Sequence, residues 1–337
     1  MQTNPGKKLI NSREHMIDEM LDGFIAAYPE VVQGVGKRIV LRRHPKSRGL
    51  VALAIGNGSG HEPANLGFVG YGMLDVNICG DFFSAPSGRA LAEGIRAADR
   101  GAGVVLFVAN HSGDVLNVEI AKSEMKDDPI EFIPVLLSDD ISTAPRGQES
   151  MRRGRGGAIF AFKIAGALAE QRGASLLEVA LLAEHVAHNT RSLGASTKPY
   201  SSFETGRPVY QLPEGVVEIG TGAHGEGGGE QLTFCGADHL SDLIINRLID
   251  ECPDNAGREV LVLVNGTGST SLMELYIAHR TIDRVLSERD LKAMSTIVGN
   301  YVTTQDMAGL SVSLCWVDEQ MKEYWSLPCS TPHFSKP

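Results

Sequence analysis

The sequence predicts an α/β protein of two domains, with mostly parallel or mixed sheets flanked by helices. Three observations carry that prediction. Four short apolar runs, at 50–55, 104–109, 132–137 and 260–264, have the length and character of buried strands. Each runs straight into a loop of small or acidic residues: GNGSGHEP at 56–63, NHSGD at 110–114, SDD at 138–140 and NGTGST at 265–270. Helix-type stretches such as 89–100 and 158–171 lie between them. Ligands in such folds gather where the carboxyl ends of strands open into loops, so the substrate site is expected at strand ends, near the domain interface.

The elements follow in order. Met16, Ile17, Met20, Leu21, Phe24, Ile25 and Tyr28 recur at helical spacing behind Asn11 and Glu14, which are placed like a capping box, so an amphipathic helix should end near Pro29. After the first three strands and their helices, a helical run at 176–188 closes the first half. From 190 to 214 the composition turns to Ser, Thr, Pro and Gly, which reads as an inter-domain connection. The expected domains are therefore 1–190 and 215–337, joined by a linker at 191–214. The second half continues with a strand at 216–219, a glycine-rich loop at 220–230, a helix at 238–250, the strand at 260–264 and a helix at 272–286. Two strand-like runs near Ile297 and Leu310 complete it. No internal repeat is evident.

Composition narrows the function. The 337 residues carry 31 Lys and Arg against 41 Asp and Glu, a formal charge of −10, which argues against nucleic acid as a main partner. Arg152, Arg153 and Arg155 are the local exception, a group that could grip phosphate or an acidic partner or simply lie in a solvated loop. Cysteines 79, 235, 252, 315 and 329 are scattered, with no CxxC, as expected for reduced thiols and no zinc site. Neither a signal-peptide hydrophobic region nor a membrane-length apolar run is found, so a cytoplasmic location is expected. The 38 glycines exceed the roughly 24 that average usage would supply, and they collect in particular loops.

Those loops hold the candidate chemistry. Glycines 56, 58 and 60 would let backbone N–H groups approach a ligand, with His61 and Glu62 next in the chain; the alternative is a tight turn with His61 as a polar loop residue. The 56–63 loop carries neither a Walker A nor a GxGxxG pattern. Asp114 can accept a proton from a substrate hydroxyl, or it can cap the following helix. At 220–229, glycines 220, 222, 225, 227, 228 and 229 surround His224 and Glu226, an arrangement suited to close backbone approach around a nucleophilic or acid/base histidine. His185 and His188 lie three apart on a helix, but no third metal ligand of standard spacing accompanies them, and a solvated helix face is the simpler reading.

Taken together, GSGHEP at 58–63, SGDxLN at 112–117, AHGEGG at 223–228, NGTGST at 265–270 followed by LMELY at 272–276, and the 306–311 stretch resemble the dihydroxyacetone kinase family, specifically its ketose-binding (DhaK-type) subunit. The resemblance runs from KKLIN at 7–11 to TPHF at 331–334. It implies a phosphotransferase acting on a short ketose. His224 would bind the substrate covalently as a hemiaminal, Asp114 would take the proton from the terminal hydroxyl, and His61 would assist as acid/base and hydrogen-bond partner. Gly58, Ser59 and Gly60 would position the substrate, with Ala109 and Ala85 at positions that line the site. The family's nucleotide-binding domain has no counterpart in this sequence, so no cofactor is expected on the chain itself. The implied partner is a DhaL-type subunit carrying Mg-ATP or Mg-ADP, served in some relatives by a phosphotransferase-system protein, and a homodimer is the family habit. The three arginines are candidates for docking that partner. A ketose sensor that controls a transcription factor is the competing reading.

Three departures from the family pattern bear on the substrate. Ala109 stands where the family commonly has a lysine, His111 where it has a tyrosine, and Ala85 where it has a serine. Ala223 also replaces the usual isoleucine before His224. The lost volume favours a larger hydroxyketone such as a tetrulose (erythrulose) alongside dihydroxyacetone.

Overall fold

The computed structural model describes residues 8–227 and 229–337; Gly228 and residues 1–7, including Lys7 of the KKLIN start, lie outside them. The chain begins with α1 (Met16–Ala27), β1 (Val32–Val35), β2 (Ile39–Arg42), β3 (Ala52–Ser59) and β4 (Val76–Phe82). It continues with α2 (Gly88–Ala98), β5 (Val104–Val108), α3 (Ser112–Glu124), β6 (Phe132–Leu136), α4 (Ala158–Ala169) and α5 (Leu176–His188). Next come β7 (Thr190–Lys198), β8 (Val216–Ile219), β9 (Glu230–Thr233), α6 (Ala237–Asp250), β10 (Glu259–Gly266) and α7 (Leu272–Glu288). The last elements are β11 (Lys292–Gly299), β12 (Ala308–Trp316), α8 (Glu319–Ser326), β13 (Cys329–Ser330) and β14 (Ser335–Lys336). Helix α1 begins one residue off the expected cap: Ser12 Oγ accepts from the His15 N–H at 3.2 Å.

Two compact units emerge, and they interleave along the chain instead of following the expected boundaries. The first unit is Ile17–Ser138, Ala158–His188 and Glu319–Pro337; the second is Met1–Met16, Asp139–Gly157 and Asn189–Asp318. The reason lies in where the crossing segments find partners. Asp139 is fully buried and accepts from Arg155 N (2.8 Å), Gly157 N (3.0 Å) and the Ser192 hydroxyl, which ties 139–157 to β7. At the other end, Trp325 packs edge-on to Phe160 with centroids 5.9 Å apart, and Lys163 Nζ donates to Tyr324 O at 2.9 Å, so the tail belongs with α4.

In the first unit the strand order is β1-β2-β4-β3-β5-β6. The four strands β4-β3-β5-β6 are parallel, and the β1-β2 hairpin adds antiparallel at one edge. One face buries Ala52, Ala54, Val76, Ile78, Val104 and Leu106 against Leu91 and Ile95 of α2 and Val118 and Ala121 of α3. Helix α4 is buried on every side, as its all-round apolar sequence requires.

In the second unit the order is β11-β10-β12-β7-β8-β9, and only the β10-β11 pair is parallel. Val260, Val262, Val264, Val312 and Leu314 pack on Ile244 and Leu248 of α6 and Ile282 and Val285 of α7. A complete capping box, Ser271 with Glu274, starts α7. The first third of the expected linker is β7, paired with β12 and β8, and residues 190–196 are all buried. Its small polar sequence concealed it because the strand packs beside charged groups: an added Cβ at Gly194 would fall 1.9 Å from Arg155 Nη2.

Candidate active site

The first unit presents its candidate residues at the carboxyl ends of β3, β4 and β5. Strand β3 continues through Gly56, Asn57, Gly58 and Ser59, so the predicted loop is extended backbone for half its length. Its glycines make room for the protein itself. An added Cβ at Gly56 would meet Leu91 Cδ2 at 2.2 Å, and one at Gly58 would meet Ser84 N at 2.6 Å, because residues 80–86 lie directly on the strand end. Ser59 Oγ donates to Gly80 O at 2.9 Å. Gly60 takes a positive φ of 110° and donates its N–H to both Glu62 carboxylate oxygens, at 3.0 and 3.1 Å. Burial pushes the Glu62 carboxyl above the usual range, against the pull of those N–H bonds. His61 is buried and stacks on Phe83, with ring centroids 4.8 Å apart and planes at 19°, so it is fixed to the same 80–86 loop.

Ala109 follows the last residue of β5, and Asp114 sits in the first turn of α3. The N-cap of α3 is His111, without a side-chain cap bond, so Asp114 is not the capping residue. A cavity of about 10 Å³ is lined by Gly56, Ala85, Pro86, Asp114, Asn117 and Val118, among others. The space is about that of a single water. The structure thus brings Ala85 and Asp114 together, while Gly58, Ser59, Gly60 and His61 gather on the neighbouring strand end. Asn117 braces them by donating to Gly113 O at 2.9 Å and accepting from Gly88 N at 2.8 Å.

His224 belongs to the second unit, in the turn between β8 and β9. Its backbone N–H donates to Glu226 Oε2 at 3.2 Å, and its ring Nδ1 stands 2.9 Å from Glu226 Oε1. An ionised carboxylate can only accept, so Nδ1 carries a proton, and in the neutral form of the ring the lone pair is on Nε2. Burial would raise the Glu226 carboxyl, but the hydrogen bonds from His224 and from its own backbone, with the charges of His224 and Arg153, outweigh burial and bring it to about 2. The turn is closed by Gly222 N to Glu226 O (3.1 Å), Gly225 N to Gly222 O (3.0 Å) and Thr304 Oγ1 to Ala223 O (2.6 Å). Gly225, at φ 71°, lies against the Tyr200 ring where a Cβ would come within 2.6 Å.

The arginines at 152, 153 and 155 are not an exposed basic patch. Arg152 is completely buried and pairs with Glu251 at 2.8 Å; Arg153 and Arg155 converge on buried Asp140, at 3.0 and 3.3 Å. Opposite charge, not solvent, surrounds them, which a run of basic residues read in isolation does not reveal. Glu226 was visible in the HGE motif and Asp140 in the SDD loop after β6, whereas Thr304 gave no local signal. No group of three or more His, Cys, Asp or Glu that could hold a metal occurs among the described residues, and none of their helices is long and apolar enough to cross a membrane.

The Dak1 domain family matches residues 22–333. The chain is 37% identical over 326 residues to the dihydroxyacetone-binding subunit DhaK of PTS-dependent dihydroxyacetone kinase 1 from Listeria innocua, spanning 96% of this chain and 99% of that one. It is 36% identical over 329 residues to the D-erythrulose kinase of Mycolicibacterium smegmatis, spanning 98% of this chain and 56% of the relative. Among solved structures, the dihydroxyacetone kinase operon co-activator Dha-DhaQ superposes with a TM-score of 0.86 at 31% identity, over 94% of this chain and 97% of that one.

Proposed function

The chain belongs to the Dak1 domain family of dihydroxyacetone-type kinases, and on that premise we propose that it is a substrate-binding subunit that captures a short hydroxyketone covalently on His224 and presents the ketose's terminal hydroxyl for phosphorylation by a partner. The observation that carries this reading is the Glu226 carboxylate on His224 Nδ1, which leaves Nε2 as the nucleophile. Nε2 donates its lone pair to the carbonyl carbon, the C=O π bond breaks toward oxygen, and that oxygen takes up a proton, with His61 as the proposed donor. The positive charge that develops on the imidazole is met by Glu226 as the Nδ1 proton shifts toward the carboxylate. The product is a neutral hemiaminal. Such a bond tests for a carbonyl, which discrimination by volume, at about 1–3 kcal/mol per small group, does weakly.

Asp114 accepts the proton of the terminal hydroxyl as its oxygen attacks phosphorus, and Gly58, Ser59 and Gly60 hold the ketose in one pose, since phosphoryl transfer is catalysed chiefly by positioning and charge stabilisation. The donor is a DhaL-type subunit with Mg-ATP, or with Mg-ADP recharged by a phosphotransferase-system protein; the assembly is cytoplasmic and this subunit a homodimer. Ala85, Ala109 and His111 widen the substrate range to a tetrulose such as erythrulose. The likeness to the Dha-DhaQ co-activator supports a second reading, a ketose sensor without turnover; the presence of Asp114, which sensing does not need, favours the enzyme.

The test is direct. With dihydroxyacetone labelled with ¹³C at C2, the wild-type chain should convert the ketone resonance to a tetrahedral carbon, and His224→Ala should not. Phosphorylation should require the partner subunit and fall by about 10³-fold or more in Asp114→Asn, the size expected when both proton transfer and positioning are lost. Turnover by the chain alone, or a wild-type spectrum in His224→Ala, overturns the reading.

A further inference from the structure

The charged cluster beneath the His224 loop has a geometry that general structural support does not require. Asp140 is fully buried, and its carboxylate accepts from Arg153 Nε (3.0 Å), Arg155 Nη1 (3.3 Å), Ser142 N (3.0 Å) and Ser142 Oγ (2.6 Å). Both guanidinium groups then reach past the aspartate to the loop that leads into His224. Arg153 Nη2 donates to Gly220 O at 3.3 Å, and Arg155 Nη1 donates to Thr221 O at 2.6 Å. Gly222 comes next, and its missing side chain is informative. An added Cβ there would fall 1.8 Å from Glu226 Oε2 and 2.9 Å from Arg153 Nη1, so carboxylate and guanidinium flank one small space. Room for the clamp is made elsewhere too: Gly194 on β7 leaves the volume that the Arg155 guanidinium fills.

We propose that Asp140, Arg153 and Arg155 form a buried clamp that sets the His224 tautomer, with Arg153 as a positioning residue acting through Glu226. Asp140 orients the two guanidinium groups. They fix the backbone of Gly220 and Thr221, and the Arg153 charge holds the Glu226 carboxylate across Gly222. Glu226 in turn accepts the hydrogen bond from Nδ1–H, which keeps the proton off Nε2. Without Arg153 the carboxylate loses its counter-charge and the loop one of its two guanidinium anchors. The imidazole then reverts toward the mixture of free histidine, in which the proton sits mainly on Nε2 and the nucleophilic lone pair is lost. Charge-assisted hydrogen bonds are the stronger class and are strengthened by burial, which suits them to this task. Arginine fits it better than lysine because one planar guanidinium bonds aspartate and carbonyl at once while its charge stands near the Glu226 carboxylate.

This inference deepens the His224 reading and rests on it for its catalytic meaning. It is tested on the full chain labelled with ¹⁵N-histidine, the His224 resonance being assigned by its absence in His224→Gln. In the ligand-free protein the wild type should show the Nδ1–H tautomer. Arg153→Met, folded by circular dichroism, should lose that tautomer and capture dihydroxyacetone at least ten-fold more slowly; Arg153→Lys should recover part of both. Glu226→Leu, which removes the acceptor, should show the same tautomer loss, and adding Arg153→Met to it should change capture by less than two-fold, because the two residues act in series. A wild-type tautomer in folded Arg153→Met, or fully additive effects with Glu226→Leu, overturns the proposal. Glu226 is half exposed, so a wild-type tautomer in folded Glu226→Leu overturns it even if Arg153→Met does not fold. If the wild type captured no ketose, the covalent reading would fail, while the tautomer comparison would still decide the clamp.

Discussion

The two glycine-rich loops are built by opposite means. In the first unit, the space beside Gly56, Gly58 and Gly80 is filled by the protein's own backbone and side chains, so the 56–61 stretch is shaped by contact. In the second, the 220–227 loop is held by a carboxylate, two guanidinium groups and a threonine hydroxyl, so it is shaped by charge and hydrogen bonds. Glycine serves close packing in the first, whereas in the second Gly222 also lets a carboxylate and a guanidinium approach. The first should therefore fail when volume is added, and the second when charge is changed.

The largest effect expected from that contrast is Gly80→Ala. Its Cβ would fall 1.9 Å from Ser84 O, a backbone atom that cannot swing aside. Overpacking of this kind costs about 1–3 kcal/mol, at the upper end here, and should lower the melting temperature by roughly 5–10 °C for a unit of this size. Gly227→Ala should cost far less, since its Cβ would meet side chains alone, the Tyr210 ring at 3.3 Å and Glu218 Oε1 at 3.6 Å. Equal melting temperatures for the two variants would break the comparison.

A smaller effect concerns specificity. Ala109→Lys adds a long side chain after β5 and should shift the kcat/KM ratio of erythrulose to dihydroxyacetone toward dihydroxyacetone by about ten-fold, within the 1–3 kcal/mol that pocket volume commands. The measurement is the ratio with the cognate phosphoryl donor, and an unchanged ratio would detach Ala109 from the substrate.

The smallest and sharpest test is a titration. Glu62, raised by burial, takes up a proton before an unfolded glutamate does, so its contribution to stability grows as the pH falls through its folded pKa and is lost as the pH rises through it. Glu226 has the opposite sign. Its folded value is depressed to about 2, so its contribution is present above the unfolded glutamate value and is lost as the pH falls toward 2. Carboxyl ¹³C resonances followed from pH 7 down to pH 2 should show Glu62 titrating first and Glu226 last. Coincident titration would remove the electrostatic half of the contrast.

Much of the fold was legible in the amino-acid sequence. The runs at 104–109, 132–137, 216–219 and 260–264 became β5, β6, β8 and β10, and 176–188 is α5 to the residue. Apolar periodicity reports burial, and burial of these segments is apolar. Strand β7 escaped because only Leu193 and Ala195 join the apolar core, while Ser192 and Gly194 between them face Asp139 and Arg155. Strands β1 and β9 are as short as β8 but mostly exposed, so they carry no apolar run. At the candidate site the motif residues His61, Asp114 and His224 were evident from their types and loops. The support of His224 by Asp140, which lies 84 positions earlier in the chain, was not.

By itself, then, the sequence determined the α/β class, the family and the residues with reactive side chains, because propensity, periodicity and motif chemistry are local properties. Only the tertiary structure decided how the segments divide between the two units, that the arginines are buried and paired, and which carboxylate stands at His224 Nδ1. Those outcomes depend on which distant groups share one low-dielectric space, where an unpaired charge is too costly to leave and a hydrogen bond chooses the tautomer.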